Sequence, residues 1–430
     1  MKLALKRIRG AAGAKRTLFI NPGGPGGSGI EELGAFGERL SGFLGKGYSI
    51  VGFDPRGVGA SRPVECLTDA QTDAWFARPV PTTTAKKAAY LRPINAFARG
   101  CLAKSGAIAT HMSTVEVVKD LDILRALVGD PKLNYLGSSY GTRIGSVYAQ
   151  LFTKRVGRMV LDGAEHPSLT GIEAERSQLR GYQLALRSYV QSCVAAGDCP
   201  LGTSESEALA TLQSFIQRLG DTPLPTGDPK RPLTDSRAIL AIVPALSQPA
   251  LRAVLTGALL SALQDGKGSD LASLSDSFVN RQEDGTYKGN GNEFEANLVV
   301  KCLDEPSRSG AAAAEKVAPG FRAISPVFGQ LWAWNAATCQ LWPAKPTSPL
   351  PVIRPVGAAP ILVVGTTRDN ATPYTQAIAL TKALKTATLL TYDGDGHLAY
   401  LRNVACIDTW VNRYFLTGKM PPTGTRCASS

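Results

Sequence analysis

Histidine is scarce in this chain. Only three stand among its 430 residues, at positions 111, 166 and 397, and no Cys-x-x-Cys pair accompanies them. That shortage argues against a zinc site built from closely spaced Cys and His ligands, and no metal or cofactor is expected. Long apolar runs are missing too: none approaches the eighteen or so residues needed to cross a bilayer, so no membrane insertion is expected. Basic runs are equally short. The 47 Lys and Arg against 35 Asp and Glu leave a net charge of +12. These residues are scattered, however, with nothing longer than pairs such as Lys86-Lys87 and Lys230-Arg231. There is no basic stripe interleaved with aromatics, so the charge reads as a solvated surface and not as a nucleic-acid interface. Extremes of composition are also absent. With 44% hydrophobic and 19% charged residues the chain is neither disordered nor a coiled coil. Its length suggests a core of about 250 residues with a large insertion or second domain.

What is present begins with eight cysteines, at 66, 101, 193, 199, 302, 339, 406 and 427. An even number of this size reads as four disulfides in an exported protein. Eight cysteines permit 105 connectivities, and spacing does not choose among them. The working expectation pairs neighbours along the chain: 66 with 101, 193 with 199, 302 with 339, and 406 with 427. The start MKLALKRIRGAAGAKR is basic but lacks the apolar stretch of about 7 to 15 residues that marks a secretory signal. Two readings follow. Either the true start lies upstream and the protein is secreted, which is the expectation adopted, or the cysteines are reduced and the protein is cytoplasmic.

Short apolar, β-branched runs recur with helical patterns between them: Thr17 to Ile20, Tyr48 to Phe53, Leu133 to Leu136, Met159 to Leu161, Ile361 to Val364 and Ala387 to Tyr392. Such alternation predicts an α/β fold, a mostly parallel sheet flanked by helices. Ser113-x-x-Glu116 forms a capping box ahead of Val117, Leu121, Leu124 and Val128, marking one of those helices. The sheet pattern stops near 165 and resumes near 360. Helical periodicity dominates parts of the interval, as in 178–195 and 204–219, which predicts an inserted, mainly helical cap. The expected division is 1–165 for the first part of the core, 166–345 for the cap, and 346–430 for the rest of the core. The Pro-rich run Trp342 to Pro360 serves as the return linker.

Gly137-Ser138-Ser139-Tyr140-Gly141 matches G-x-S-x-G. Its setting matters more than the match, since a strand ends just before it and a helical pattern from Thr142 to Phe152 follows. That strand-turn-helix context defines a nucleophile elbow, in which small glycines permit the sharp turn that exposes a serine. The competing reading is a Gly-rich strand exit. A serine hydroxyl needs a base to take its proton, and elbow architectures present their residues in the order Ser, acid, His. His111 precedes the serine. His166 follows too soon, leaving no room for an intervening strand and acid. His397, in Asp393-Gly-Asp-Gly-His397, sits in a loop between a strand and a helix and meets the order. The acid should leave another strand end, where it can fix the imidazole tautomer. Asp369 does so after Ile361 to Val364, while Asp395 is an alternative that lies too close to the histidine. Taken singly, each residue also fits a turn, a cap or a loop.

The loop Asn21-Pro-Gly-Gly-Pro-Gly-Gly-Ser-Gly29 follows the first apolar run and offers backbone N–H groups for an oxyanion hole, with Gly24 and Tyr140 as donors. It also supports a second reading. Gly24-x-Gly26-x-x-Gly29 followed by a strand and Asp54 imitates a dinucleotide-binding fingerprint and hence an oxidoreductase. That reading leaves Ser139, Asp369 and His397 unexplained.

Together, Pro-Gly-Gly-Pro-Gly-Gly-Ser-Gly, Asp54-Pro-Arg-Gly-Val-Gly-Ala-Ser61, Gly-Ser-Ser-Tyr-Gly and Gly-Asp-Gly-His resemble the prolyl and tripeptidyl aminopeptidase family, in particular its secreted actinobacterial tripeptidyl branch. The likeness spans nearly the whole chain, including Lys301-Cys-Leu-Asp304 and Cys339-Gln-Leu-Trp-Pro343. It implies an α/β-hydrolase fold with a helical cap, no metal or cofactor, and cleavage of short peptides from a free N-terminus, with Ser139, Asp369 and His397 matching the family triad. The chain departs from the prolyl branch, which usually has His where Pro22 stands. An aminopeptidase must also bind an ammonium group. Asp304, from the family-like Cys-x-Asp, and Glu165, from its position after a strand, are the candidates, although each also reads as a surface carboxylate. An esterase would use the same triad and remains the competing activity.

Overall fold

The computed structural model describes all residues except 1, 167, 288–291, 306, 346–347 and 429–430. Eight strands form one sheet: β1 (Leu5–Ile8), β2 (Arg16–Asn21), β3 (Tyr48–Phe53), β4 (Leu133–Ser138), β5 (Val156–Asp162), β6 (Ile361–Arg368), β7 (Ala387–Asp395) and β8 (Arg426–Ala428). Their order is β1-β3-β2-β4-β5-β6-β7-β8. Only β1 is antiparallel to its neighbour; every other adjacent pair is parallel. The expected mostly parallel α/β-hydrolase sheet is therefore present.

Each central strand is apolar at nearly every position because both sheet faces are covered. Alternate side chains enter different cores, as the period of two requires. Leu18, Ile20, Leu136, Val160, Leu362 and Val364 pack with Leu33, Leu40, Ile407 and Val411 from helices Gly29–Leu44 and Ala405–Thr417. Phe19, Tyr135, Met159, Leu161, Ile361 and Val363 face the opposite side, toward helices Thr114–Leu127, Tyr140–Leu151 and Tyr374–Leu384. The capping box is formed: Glu116 Oε2 accepts the Ser113 N–H at 3.1 Å. The edge strands β1 and β8 escaped the sequence reading because they are short. β1 is also largely exposed, so neither carries a readable alternation.

Between β5 and β6 lie eight α-helices among the described residues, from Gly171–Ala196 to Gly329–Asn335. Their layer receives a second contribution from helices Asp69–Phe76 and Thr84–Ser105, which lie between β3 and β4. Trp75 meets Phe294 at 5.3 Å, Tyr90 meets Trp334 at 5.7 Å, and Phe97 stacks on Trp342 at 5.8 Å. Two residues of the return linker, 346 and 347, lie outside the described residues, as does part of the insertion at 288–291.

Four disulfides join 66 to 101, 193 to 199, 302 to 339 and 406 to 427, the neighbour pairing expected. Among the described residues no helix is long and apolar enough to cross a membrane. The bond between Cys302 and Cys339 closes a loop with a sequence separation of 37 residues inside the helical layer. On the loop-entropy account it contributes about 3–4 kcal/mol. Replacing both residues by Ala should lower unfolding stability by about that amount, read from urea unfolding as a lower midpoint with a slope equal to or steeper than that of the cross-linked protein.

Candidate functional site

The parallel strands bring several loops to one edge of the sheet. β4 ends in the turn at Ser139, whose backbone sits at φ 54° and ψ −126°. For a non-glycine residue this costs about 1–3 kcal/mol and persists only where neighbours enforce it. Here Ser139 N–H donates to Asp162 O at 2.9 Å, and Thr142 donates from N and Oγ1 to Ser139 O at 2.8 and 2.6 Å. The flanking glycines are sterically required. A Cβ at Gly137 would stand 2.4 Å from Gly141 O, and one at Gly141 would stand 2.6 Å from Asn21 O.

Asp369 follows β6 and is almost wholly buried, with 1% of its surface exposed. Oδ1 accepts from Ala371 N at 2.9 Å and Thr372 N at 2.8 Å, and Oδ2 accepts from Thr372 Oγ1 at 3.1 Å. His397 Nδ1 lies 3.0 Å from Oδ1 and 2.9 Å from Oδ2. With these neighbours Nδ1 carries the proton, leaving Nε2 as the ring's basic site. Burial alone would lower the imidazole pKa, but the adjacent Asp369 carboxylate more than offsets it, so the net shift is upward from 6.5. The histidine loop is held from two directions. His397 N–H donates to Ser247 O at 2.9 Å, in the inserted helix Asp235–Ser247. Beyond it, the buried Asp162 accepts from Ala399 N at 3.1 Å and Tyr400 N at 2.9 Å, and burial pushes its own pKa up to about 6.

Asp395 does not contact the imidazole. It accepts from Ser188 Oγ at 2.5 Å and pairs with Arg368 and Arg252 at 3.1 and 3.2 Å. That removes it as the alternative acid.

Ser139, His397, Gly24, Tyr140, Glu165 and Asp304 all line one cavity of about 650 Å³ between the sheet edge and the helical layer. Asp369 stands behind His397. The glycine loop rests directly on the serine turn: a Cβ at Gly23 would lie 2.5 Å from Ser138 O and 2.9 Å from Tyr140 N. Gly23 and Gly24 have φ of 99° and 102°, conformations that favour glycine. Gly23 N–H is taken by Asn21 Oδ1 at 3.0 Å. Tyr140 opens its helix, so its N–H has no partner within that helix and lies at the positive end of the helix dipole. The rival dinucleotide reading fares less well. Asp54 accepts from Ser28 Oγ at 2.5 Å, Ala60 N at 2.9 Å and Ile30 N at 3.3 Å, so both its oxygens are engaged in holding the loops together.

The two carboxylates considered for an ammonium group differ in their surroundings. Asp304 accepts from Thr114 N at 2.9 Å and Thr114 Oγ1 at 2.5 Å. Burial pushes its pKa up to about 6, although nearby Arg143 draws it down. Glu165 Oε1 accepts from Arg143 Nη2 at 2.9 Å, while its buried Oε2 has no partner among the described residues. The buried Arg143 therefore partly neutralises the pair, a compensation the sequence reading missed because nothing marks that arginine within its helix. Thr372 was missed as well. The turn itself had a signal, since an aspartate side chain commonly accepts the backbone N–H two residues on, as Asp369 does from Ala371, but nothing marked the threonine. Glu293 is a third omission. It lines the cavity, and its Oε1 lies 3.2 Å from where a Gly24 Cβ would be.

Comparison with known proteins supports the same relationship along the whole chain. Residues 325–427 match a family model described as TAP-like protein. Serine protease Hip1 of Mycobacterium tuberculosis is 38% identical over 443 residues, covering 99% of this chain and 83% of the relative. Carboxylesterase B of the same organism is 34% identical over 434 residues, with 99% and 82% covered. Tripeptidyl aminopeptidase of Streptomyces lividans is 31% identical over 441 residues, with 100% and 80% covered. Identity of this extent over almost the full length, on a mostly parallel sheet with a helical insertion, leads to one conclusion: the chain belongs to the tripeptidyl aminopeptidase-like family of α/β-hydrolases.

Proposed function

We propose that this hydrolase is a secreted serine exopeptidase that releases short peptides from free N-termini through an acyl-enzyme on Ser139. The observation that carries the proposal is the Asp369–His397 pair, closed at 2.9 Å and opening into the cavity that Ser139 also lines. In this reading His397 Nε2 takes the Ser139 proton as Oγ attacks the scissile carbonyl. Asp369 stabilises the imidazolium, and the Gly24 and Tyr140 amides hold the oxyanion. The imidazolium then protonates the leaving amine, and water, deprotonated by His397, releases the acyl group. Four disulfides support an oxidising compartment and hence secretion. The relatives named as a protease and an aminopeptidase support a peptide substrate. A carboxylesterase is the second reading, favoured by the relative of that name.

A tripeptide amide reporter and its N-acetylated twin separate these activities. The free-amine form should be cleaved and the acetylated form spared, and Ser139→Ala should lose about 10⁶-fold in kcat. Equal cleavage of both forms would indicate an endopeptidase or a broad hydrolase, and cleavage of simple esters alone would favour the esterase.

For the amine, Glu165 Oε2 and Asp304 are the proposed acceptors. Glu165→Gln and Asp304→Asn should each raise KM for free-amine peptides about tenfold with a smaller change in kcat, since an ion pair to a bound ground state is weakened. An unchanged KM in both would remove them from this role.

The pH dependence follows from His397. Its folded pKa is raised, so the neutral base disappears as pH falls through a value above 6.5. The acidic limb of kcat/KM should therefore have its midpoint above 6.5. In Asp369→Asn the carboxylate that raises the pKa is gone, so the limb should move to lower pH while the rate falls about 10⁴-fold. Steady-state profiles of the two proteins check both statements.

A further inference from the structure

The same cavity contains a cation that the proposed chemistry does not use. Arg78 lines it, from the segment between helices Asp69–Phe76 and Thr84–Ser105. Its guanidinium is clamped between two rings, 4.0 Å from the centroid of Trp75 and 4.3 Å from that of Tyr90. Nε donates to Trp75 O at 2.9 Å, which fixes the plane of the fork. Nη1 is buried and has no acceptor among the described residues. No carboxylate among the described residues forms an ion pair with Arg78. The nearby Glu175 accepts instead from Asn335 Nδ2 at 3.2 Å, and Asn335 Oδ1 in turn accepts from Tyr90 OH at 3.2 Å.

A charge withdrawn from water without a counter-ion is costly, and stacking on aromatic faces offsets only part of that cost. Elsewhere in this cavity the comparable arginine, Arg143, has its carboxylate at 2.9 Å. Arg78 is stacked and tethered through Nε but has no such ion pair among the described residues, beside a space large enough for a peptide.

We propose that Arg78 is a specificity-determining residue that receives a carboxylate of the substrate held under the helical layer. The proposal rests on the reading of this cavity as the substrate site. With Nε committed to Trp75 O, the guanidinium keeps its Nη donors and its full charge for a carboxylate, a charge-assisted contact that a neutral carbonyl matches less well. That carboxylate comes either from an acidic side chain or from the free C-terminus of a short peptide, and the chemistry at Arg78 is the same in both cases.

The first test is a binding measurement that needs no turnover. On the Ser139→Ala protein, calorimetry should show glutarate binding at least about tenfold more tightly than its diamide, glutaramide. Adding Arg78→Met should abolish that preference, and Arg78→Lys should retain part of it. Thermal unfolding establishes that each variant is folded. Equal binding of the two probes, or a preference that survives in folded Arg78→Met, would overturn the proposal. Should Arg78→Met fail to fold, the glutarate-to-glutaramide ratio in Ser139→Ala and its change in Arg78→Lys decide the matter. Because binding is read directly, an inactive wild-type protein would defeat the peptidase assignment without touching this result. With active enzyme, tripeptide amides carrying Glu or Gln, and free tripeptide acids against their amides, identify the source of the carboxylate. A lower KM for the Glu amides assigns a side chain, and a lower KM for the free acids assigns the C-terminus. No difference in either pair would overturn the role in substrate selection.

Discussion

A carboxylate cannot be taken out of water unless its oxygens are satisfied, and Asp369 is where this protein meets that requirement most completely. Two backbone N–H groups, the Thr372 hydroxyl and the His397 ring converge on it while 1% of its surface remains exposed. Those donors belong to the turn after β6 and the loop after β7, so forming them fixes one loop against the other. His397 is further tied to Ser247, and so the inserted helices help to set the angle of the ring. Removing the Asp369 charge would therefore do more than change a proton affinity, because the two loops would lose their common anchor.

The serine turn depends on the sheet in the same way. Its strained backbone is held by Asp162 O at the end of β5, and the Asp162 side chain holds the residues just after His397. One residue thus links the strand exit at Ser139 to the loop of His397. Such coupling is possible because β4, β5, β6 and β7 are adjacent and parallel, which puts their C-terminal ends on the same edge.

How much of this could be read from the sequence follows the range of each interaction. The central strands were legible because both-sided burial makes them predominantly apolar. The elbow and the histidine loop were legible because steric demands fall on glycine at neighbouring positions. The edge strands β1 and β8 lacked such a signal, being too short to establish a period. The contribution of residues 54–112 to the helical layer was also hidden. Trp75, Tyr90 and Phe97 look like ordinary core residues until their partners Phe294, Trp334 and Trp342 are placed, more than 200 positions away. Arg143 and Arg78 were invisible for the same reason, since whether a buried arginine is paired depends on groups that only the fold brings near.

These two arginines show why the cavity should be judged by its balance of charges and not by its list of acids. Asp304 and Glu165 alone would make a strongly cation-selective pocket, but Arg143 between them leaves about one uncompensated negative charge when both are ionised. If the proposed amine site is right, its attraction for an ammonium group is modest and its selectivity comes from geometry, chiefly Glu165 Oε2, which has no partner among the described residues. Arg78 adds a positive charge to the same cavity and forms no ion pair there among the described residues. A site with a partnerless acceptor in one place and a partnerless cationic donor in another is complementary to a molecule carrying both charges. A short peptide has that form: an ammonium at one end and a carboxylate farther along. A simple ester has neither, so the charge pattern weighs against the esterase even though the chemistry at Ser139 would serve it equally well.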